Sequence, residues 1–297
     1  MTETLIGKGR EAIEWLLDSD SFQENQAAER TFPENFGPGA VVGNGRLDGQ
    51  EVVVLANDAQ AMNEKFPVVY FGVIGLEEAY KMALAVYAVL KADRQKPTDE
   101  KRPLLLIVDT PGNAPGKLEE IAGMNKATGA YQLALAEARM AGHPVIAVVI
   151  GRAISGAFLC HGLQADRILA MKPEFGTMIH VMPVSSISRI TKLDIEQLEE
   201  LSKTNPVFAA GADFFYRLGG VEEILDSVED IRPSVSRQIK ALRKEKEQGK
   251  TGPLGRAILG EERGGRVWRS RVIRKMEEEF ADFADDYRPW RADADGK

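Results

Sequence analysis

Residues 145–158 read VIAVVIGRAISGAF, an apolar run that ends in small residues. The first six residues, 145–150, are all apolar and mostly β-branched, which is typical of a strand buried on both faces of a sheet. The small residues at 153 and 155–157 allow the backbone of a turn to approach a ligand closely. The first N–H groups of a helix have no partner within it. The stretch therefore predicts a buried strand, then a helix near 155–164 whose start can form an oxyanion hole.

A second run of the same character, LLLIVDT, lies at 104–110, and the pattern predicts a helix after it at about 119–140. Buried strands that alternate with helices imply crossover connections and a largely parallel sheet. The loop Asp109–Gly116, DTPGNAPG, contains two prolines and two glycines that fix its path. Because it follows a neighbouring strand, we expect this loop to lie beside the turn that follows residue 150.

The other predicted elements follow from local signals in the sequence. Strands near 40–43 and 51–56 are expected to pair antiparallel, because Asp48-Gly49 supplies the positive φ of a tight hairpin. Residues 4–17 predict an amphipathic helix, and the apolar run 68–74 leads into a helix at 76–90. Further predicted elements are short strands at 168–171 and around Met178, and helices near 195–203 and 207–218.

Composition narrows the class of protein. The chain has 297 residues with 38 Lys and Arg against 45 Asp and Glu, and its net charge of −7 argues against nucleic acid as the main partner. No run approaches the ~18 apolar residues of a membrane span, and no signal-peptide pattern is present, so we expect a cytoplasmic protein. Cys160 is the only cysteine, and the three histidines (His143, His161 and His180) lie in distant contexts. The sequence therefore predicts no disulfide and no metal site.

Three motifs allow a second interpretation. Gly43-Asn44-Gly45 begins like a dinucleotide fingerprint, but a strand rather than a helix follows, so a hairpin is favoured. Ser155 lies between a strand and a helix, as a nucleophile-elbow serine does; because alanines replace the glycines of that motif, we expect an N-cap instead. Cys160 is expected in the core, while His161 is kept as a candidate for lining a site.

Four stretches resemble the carboxyltransferase branch of the crotonase superfamily, in the order and at roughly the spacing of that family. They are GNGRLDGQEVVVLAND (43–58), LLLIVDTPGNAPG (104–116), GHPVIAVVIGRAISGAFLCHGLQADRILA (142–170) and FFYRLGGVEEILD (214–226). A further stretch, 188–220, resembles the gamma subunit of malonate decarboxylase, above all in Arg189–Leu193 and Asn205–Ala209. That stretch is the strongest single signal, because no structural requirement explains its wording.

The resemblance implies an α/β fold, the crotonase-like (ClpP/crotonase) spiral of ββα units with outer helices. We expect three parts: an N-terminal helical arm at 1–39, a crotonase-like carboxyltransferase domain at 40–230, and a C-terminal helical extension at 231–297 that makes subunit contacts. The implied partners are a malonate decarboxylase beta subunit and an acyl carrier subunit, in a hetero-oligomer. The implied reaction converts a malonyl thioester on the carrier into the acetyl thioester and CO2.

The same resemblance implies the site residues. The position that matches the family's oxyanion hole is Gly156-Ala157, whose backbone N–H groups would stabilise the enolate left by decarboxylation. The residues expected to contact the substrate are Thr110, Pro111, Gly112 and Ser155. Ser155 stands where many biotin-using relatives have glycine. We therefore expect no cofactor on this chain, the thioester prosthetic group on the acyl carrier, and no use of biotin.

Two other functions remain open. One is the carboxyltransferase half of a biotin-dependent enzyme, which would transfer carboxyl to free biotin. The other is a non-catalytic scaffold that completes the fold of an active partner. A stand-alone enoyl hydratase is disfavoured, because no pair of glutamates stands at the two expected strand ends. The charge-dense region after Asp230, which contains Trp268, is expected to pack on a partner rather than to bind nucleic acid.

Overall fold

The computed structural model describes residues 3–180, 182, 184–204, 210–245 and 251–284. Within these ranges the strands are β1 (Gln23–Glu24), β2 (Gln26–Ala27), β3 (Arg30–Thr31), β4 (Ala40–Leu47), β5 (Gln50–Asn57), β6 (Leu104–Thr110), β7 (Val145–Ile154), β8 (Arg167–Met171), β9 (Met178–His180) and β10 (Glu223–Leu225). The α-helices are α1 (Gly9–Leu16), α2 (Leu76–Ala92), α3 (Lys117–Ala122), α4 (Met124–Met140), α5 (Ser155–Cys160), α6 (Val184–Thr191), α7 (Ile195–Thr204), α8 (Ala212–Arg217), α9 (Ile231–Glu245), α10 (Gly252–Glu262) and α11 (Val267–Ala281). Asn205–Ala209, part of the stretch that carries the resemblance, lies outside the described residues.

One sheet contains most of the strands, in the order β1-β4-β5-β6-β7-β8-β10. Its β1, β4 and β5 are antiparallel, and from β5 onward each neighbouring pair is parallel. Asp48 and Gly49 form the turn between β4 and β5 with φ of +53° and +78°, as a two-residue hairpin requires. Gly43-Asn44-Gly45 lies within β4, so the predicted hairpin is confirmed, as is the parallel core.

Helices cover both faces of the sheet. In β6, side chains at 104, 106 and 108 join one apolar cluster together with residues of α2 and α4. Those at 105 and 107 join a second cluster together with residues of α1 and α9. This alternation makes β6 a strand buried on both faces, as the sequence predicted.

Strand β7 changes partners along its length. It pairs with β8 through Ile146–Val149 and with β9 through Arg152–Ile154. The strand is therefore longer than the predicted 145–150, because Gly151 and Arg152 interrupt the apolar run without ending the strand. Its last residues pair with β9, and α5 follows them directly.

Other predicted boundaries also differ from the structure. The helix predicted at 4–17 is α1, which begins only at Gly9, because Gly7 before it has φ of +86°. The helix predicted at 119–140 is two helices, α3 and α4, because Gly123 between them has φ of +102°. The helix predicted at 155–164 ends at Cys160, and that predicted at 207–218 begins, within the described residues, at Ala212. Among the described helices, none has the length and apolar character needed to cross a membrane.

Candidate active site

The ends of β6 and β7 bring the two predicted site segments together. The strands are parallel neighbours, and Thr110 at the end of β6 is the register partner of Ala153. The loop 111–116 follows the first strand and α5 follows the second. A Cβ placed on Gly156 would lie 3.1 Å from Nδ2 of Asn113, so the loop and the helix are in contact.

Ser155 is the first residue of α5, and its backbone is left-handed, with φ of +58°. The N-cap position is Ile154 and no side chain caps the helix, so the predicted N-cap role of Ser155 is wrong. A capping side chain must come from the extended residue that precedes the helix, and Ile154 occupies that place. The Ser155 side chain is exposed, and its hydroxyl makes no hydrogen bond within the described ranges.

Gly156 and Ala157 each carry a backbone N–H group without an acceptor in the part of the chain that the structure describes. Early N–H groups of a helix lack partners within it and carry partial positive charge. Ala157 is fully buried, and a buried N–H group without an acceptor is costly. Such a group is expected where the acceptor arrives with a ligand.

The loop after β6 is held in place by its own hydrogen bonds. Thr110 is buried, and its hydroxyl donates to the carbonyl and accepts from the N–H of Gly112, both at 3.3 Å. Ile74 N–H donates to the Gly112 carbonyl at 3.1 Å, and Ala114 N–H donates to the Ile74 carbonyl at 2.9 Å. Thr110 and Gly112 thus shape the loop, and Pro111 between them is half-buried.

Three polar residues near these segments were not assigned to the site from the sequence. Asn113 Oδ1, Glu119 Oε1 and His180 Nδ1 are buried without a hydrogen bond among the described residues. Glu119 packs against Gly116 at the end of the loop, and His180 of β9 is the register partner of Ile154. Burial lowers the pKa of His180, which favours the neutral form of its imidazole. The sequence signal for Asn113 was its place in the DTPGNAPG loop.

His161 is a structural residue rather than a residue that lines the site. Its Nδ1 lies 2.9 Å from the Tyr131 hydroxyl and its Nε2 lies 2.9 Å from the Ile107 carbonyl. Since a carbonyl only accepts, Nε2 donates and Nδ1 accepts. Burial lowers the pKa of His161 to about 4. Cys160 is fully buried, which confirms its predicted place in the core, and burial raises the pKa of its thiol to about 12.

Metal ligands do not cluster in the described part of the chain: no group of three or more His, Cys, Asp or Glu side chains could hold an ion.

The parallel core, the antiparallel β4–β5 hairpin and the helices on both faces define the chain as a crotonase-like α/β protein. The multienzyme core of transcarboxylase 12S, with hydrolysed methylmalonyl-coenzyme A bound, has a TM-score of 0.61 to this chain at 21% identity, over 80% of this chain and 42% of that one. This likeness concerns the fold alone.

The chain belongs to the malonate decarboxylase gamma subunit family, whose sequence profile matches residues 71–280. A relative from Malonomonas rubra, malonyl-S-ACP:biotin-protein carboxyltransferase, is 61% identical over 287 residues, which cover 95% of this chain and 98% of that protein. A chain in the crystal structure of a Pseudomonas malonate decarboxylase hetero-tetramer with coenzyme A has a TM-score of 0.69 and 32% identity, over 82% of this chain and 97% of that one. The predicted family, fold class and enzyme class are thereby confirmed.

Proposed function

We propose that this chain supplies one half of the active site in a two-subunit core, formed with a beta subunit, that removes the carboxyl group from a malonyl thioester on an acyl carrier protein. The observation that carries the proposal is the pair of N–H groups of Gly156 and Ala157, which lack acceptors at the end of β7. In support, the Malonomonas relative is named for malonyl-S-ACP, and the Pseudomonas structure is a hetero-tetramer.

The chemistry requires an oxyanion site rather than a nucleophile. The bond that breaks joins the malonyl methylene carbon to the free carboxyl carbon, and its electron pair moves into the thioester, where charge collects on the carbonyl oxygen. A preorganised N–H donor aimed at such an oxygen contributes about 3–4 kcal/mol. A proton from water then converts the enolate to the acetyl thioester. No general base is needed, so the proposed half-site works through its backbone.

Two side chains beside the donor pair orient the substrate in this proposal. Ser155 is exposed and its hydroxyl can donate to the thioester oxygen or to the carboxylate. Asn113 places Nδ2 against Gly156 and has an unbonded buried Oδ1. Thr110, Pro111 and Gly112 contribute the shape of the loop rather than a free hydroxyl.

The acceptor of the carboxyl group separates two candidate functions. In the first candidate the group leaves as CO2 and biotin is not used. In the second it is transferred to biotin on a separate protein. The donor pair of Gly156 and Ala157 fits either, because it can donate to a ureido oxygen as well as to a thioester oxygen. Biotin, when bound, would supply the nitrogen that accepts the carboxyl group, and the proton lost from that nitrogen would go to the enolate carbon in place of a proton from water.

The relatives favour the second candidate. The protein named for a biotin-protein acceptor shares 61% identity with this chain, against 32% for the Pseudomonas malonate decarboxylase. This difference in identity favours biotin more strongly than the presence of a serine at position 155 disfavours it. We therefore propose a biotin-bearing partner as the acceptor, with no cofactor attached to this chain.

The termini are assigned to subunit organisation in the same proposal. Helix α11 has no buried residue and exposes Trp268, Val272, Met276 and Phe280, which supports subunit contacts for the extension 231–297. The arm 1–39 contributes α1, which packs on the sheet. We place the reaction in the cytoplasm, in keeping with the buried free thiol of Cys160.

The test is co-expression with a beta subunit and an acyl carrier subunit, followed by measurement of malonyl thioester loss. We expect turnover only when both halves are present; turnover by the isolated, monodisperse chain contradicts the half-site. Avidin added to the complex distinguishes the acceptors, because inhibition supports biotin and unchanged turnover supports direct release of CO2. If Gly156→Ala in this chain leaves the activity of the complex unchanged, a scaffold role is favoured instead.

A further inference from the structure

We propose that Arg152 and Asp109 form a positioning pair that fixes the end of β7 and the Phe71 loop, residues 70–74, relative to the donor groups of Gly156 and Ala157. The kinetic part of this inference rests on the proposed function. Its structural part rests on hydrogen bonds, a ring contact and the register of the strands.

The pair is buried and fully bonded. Asp109 is 1% exposed and Arg152 5%. Nε and Nη2 of Arg152 donate to the two carboxylate oxygens at 2.8 and 3.0 Å. The carboxylate also accepts from the Arg152 backbone N–H at 2.9 Å and from the Gly7 N–H at 2.7 Å. A bidentate charged pair of this kind has one geometry, because both groups are planar.

The pair lies where β6 and β7 lose their register. Between matched positions β6 advances from 108 to 110, while β7 advances from 149 to 153. The Asp109 carboxylate accepts from the Arg152 N–H, at a position that has no register partner in β6. A Cβ on Gly151 would lie 2.5 Å from Asp109 Oδ1, so only glycine fits there. A bulge redirects the strand that follows it, and here that strand leads to Gly156 four residues later.

Arg152 also holds the Phe71 loop. Its Nη2 donates to the Phe71 carbonyl at 3.0 Å, and its guanidinium carbon lies 4.1 Å from the centroid of the Phe71 ring. Phe71 has φ of +53°, an outlier for a bulky residue that persists only when neighbours hold it. The loop continues to Ile74, which pairs with the backbone at 112–114 around Asn113.

Arg152 therefore reaches Gly156 by two routes: along β7, and through the Phe71 loop and Asn113. Lysine cannot replace it, because a single ammonium group does not present the planar fork that binds a carboxylate while it donates to a carbonyl and stacks on a ring. We infer that the guanidinium group, rather than its charge alone, sets the geometry of the site.

The kinetic test compares Arg152→Lys with Arg102→Lys in the complex with the beta subunit. Arg102 forms a partly buried ion pair with the buried Asp93 at the opposite end of β6, at 3.0 Å, and is the matched control. We expect Arg152→Lys to lower kcat for the malonyl thioester by about 10- to 100-fold with KM within about threefold, because misplacement by about 1 Å costs that much. Arg102→Lys should lower Tm and leave kcat unchanged. If both variants lose kcat equally, and in proportion to their decrease in Tm, the proposal is overturned.

The second readout does not need turnover. Hydrogen exchange of the Ile74 and Ala114 N–H groups should become faster in Arg152→Lys and stay unchanged in Arg102→Lys. Unchanged exchange at both amides rejects the positioning role. If exchange is faster in Arg152→Lys but the wild-type complex shows no malonyl thioester turnover, the proposed function is rejected and the structural role of the pair is retained. If Arg152→Lys does not fold, Phe71→Gly removes the ring while keeping the left-handed angle, and it should produce the same two changes to a smaller extent.

Discussion

The backbone angle of Ser155 decides what the end of β7 offers to a ligand. With φ of +58°, the chain changes from strand to helix within one residue, so the N–H groups of Gly156 and Ala157 leave the strand ladder without entering the helical one. A non-glycine residue in this conformation costs about 1–2 kcal/mol. Strain of this kind is commonly found at functional sites.

Ser155→Ala should leave the free energy of unfolding within about 0.5 kcal/mol of wild type, because no cap hydrogen bond is lost. Urea denaturation measures this. The control is Ser227→Ala, which removes a capping box with Asp230 and should cost about 1 kcal/mol. A loss in Ser155→Ala as large as that of the control would show that Ser155 does cap α5.

Gly156→Ala should lower turnover of the assembled complex by about tenfold. The new Cβ would lie 3.1 Å from Asn113 Nδ2, so either the Asn113 side chain or the backbone at residue 156 must move. In an Asn113→Ala background the space is free, so the added effect of Gly156→Ala should be small. Gly129→Ala in α4 is the control, since nothing lies within 4 Å of its Cβ. Additive losses in the double variant would disprove contact between residues 113 and 156 as the cause.

At the scale of elements, α5 is short and depends on the residue that follows it. His161 bonds to Ile107 of β6 and Tyr131 of α4, so the end of the helix is fixed to the sheet and to its neighbouring helix. The burial of His161 holds it neutral and lowers its pKa to about 4. The anchor is therefore sensitive to acid.

A histidine whose pKa is lower in the folded state stabilises the fold fully above its unfolded pKa of about 6.5, and this contribution is lost as pH falls toward about 4. The difference between the unfolded and folded pKa values corresponds to a loss of about 3 kcal/mol in the free energy of unfolding. His161→Gln keeps an N–H donor that can reach the Ile107 carbonyl and cannot be protonated. We expect its free energy of unfolding to fall less than that of wild type between pH 6.5 and 4, measured by urea denaturation. Parallel curves for the two proteins would contradict this assignment.

Elements with local signals were predictable from the sequence. Asp48-Gly49 specifies the β4–β5 hairpin by itself, and the apolar runs of β6 and β7 identify buried strands. The crotonase-type fold was expected from the resemblance of four stretches to that family rather than from these local signals. The extension of β7 to Ile154 was missed, because its partner β9 lies more than twenty residues further along the chain.

The candidate site was predictable in outline only. The meeting of Thr110–Gly112 with Ser155–Ala157 follows from parallel neighbouring strands, and the sequence indicated both segments. The angle of Ser155 and the bonding of Arg152 to Asp109 depend on a shift of register between two strands. A shift of this kind leaves no periodic pattern in either strand, so neither feature could be read from the sequence.

At the scale of the whole molecule, α11 stands apart from the core. None of its residues is buried, and a 15-residue helix in water is marginally stable without packing. Its apolar side chains therefore indicate a surface that is covered when subunits assemble.

Val272→Glu combined with Met276→Glu should leave Tm within about 2 °C, because neither side chain is buried, and should weaken binding to the beta subunit. Thermal denaturation and co-purification measure the two effects. Arg271→Glu with Lys275→Glu, a charge change on the same helix, is the control and should retain binding. Undiminished binding of the Val272 and Met276 variant would exclude this surface as the contact.

The hydrogen bonds of the N-terminal segment also constrain the order in which segments fold during synthesis. Leu5 N–H donates to the Phe175 carbonyl at 2.9 Å, and Gly7 N–H donates to Asp109. A ribosome that adds about 5–20 residues per second needs roughly 10–30 s to travel from the first of these residues to the last. The strands between them can pair during that interval, while Leu5 waits for its acceptor. Residues 5–7, which are translated well before Phe175, are therefore among the last of these segments to dock.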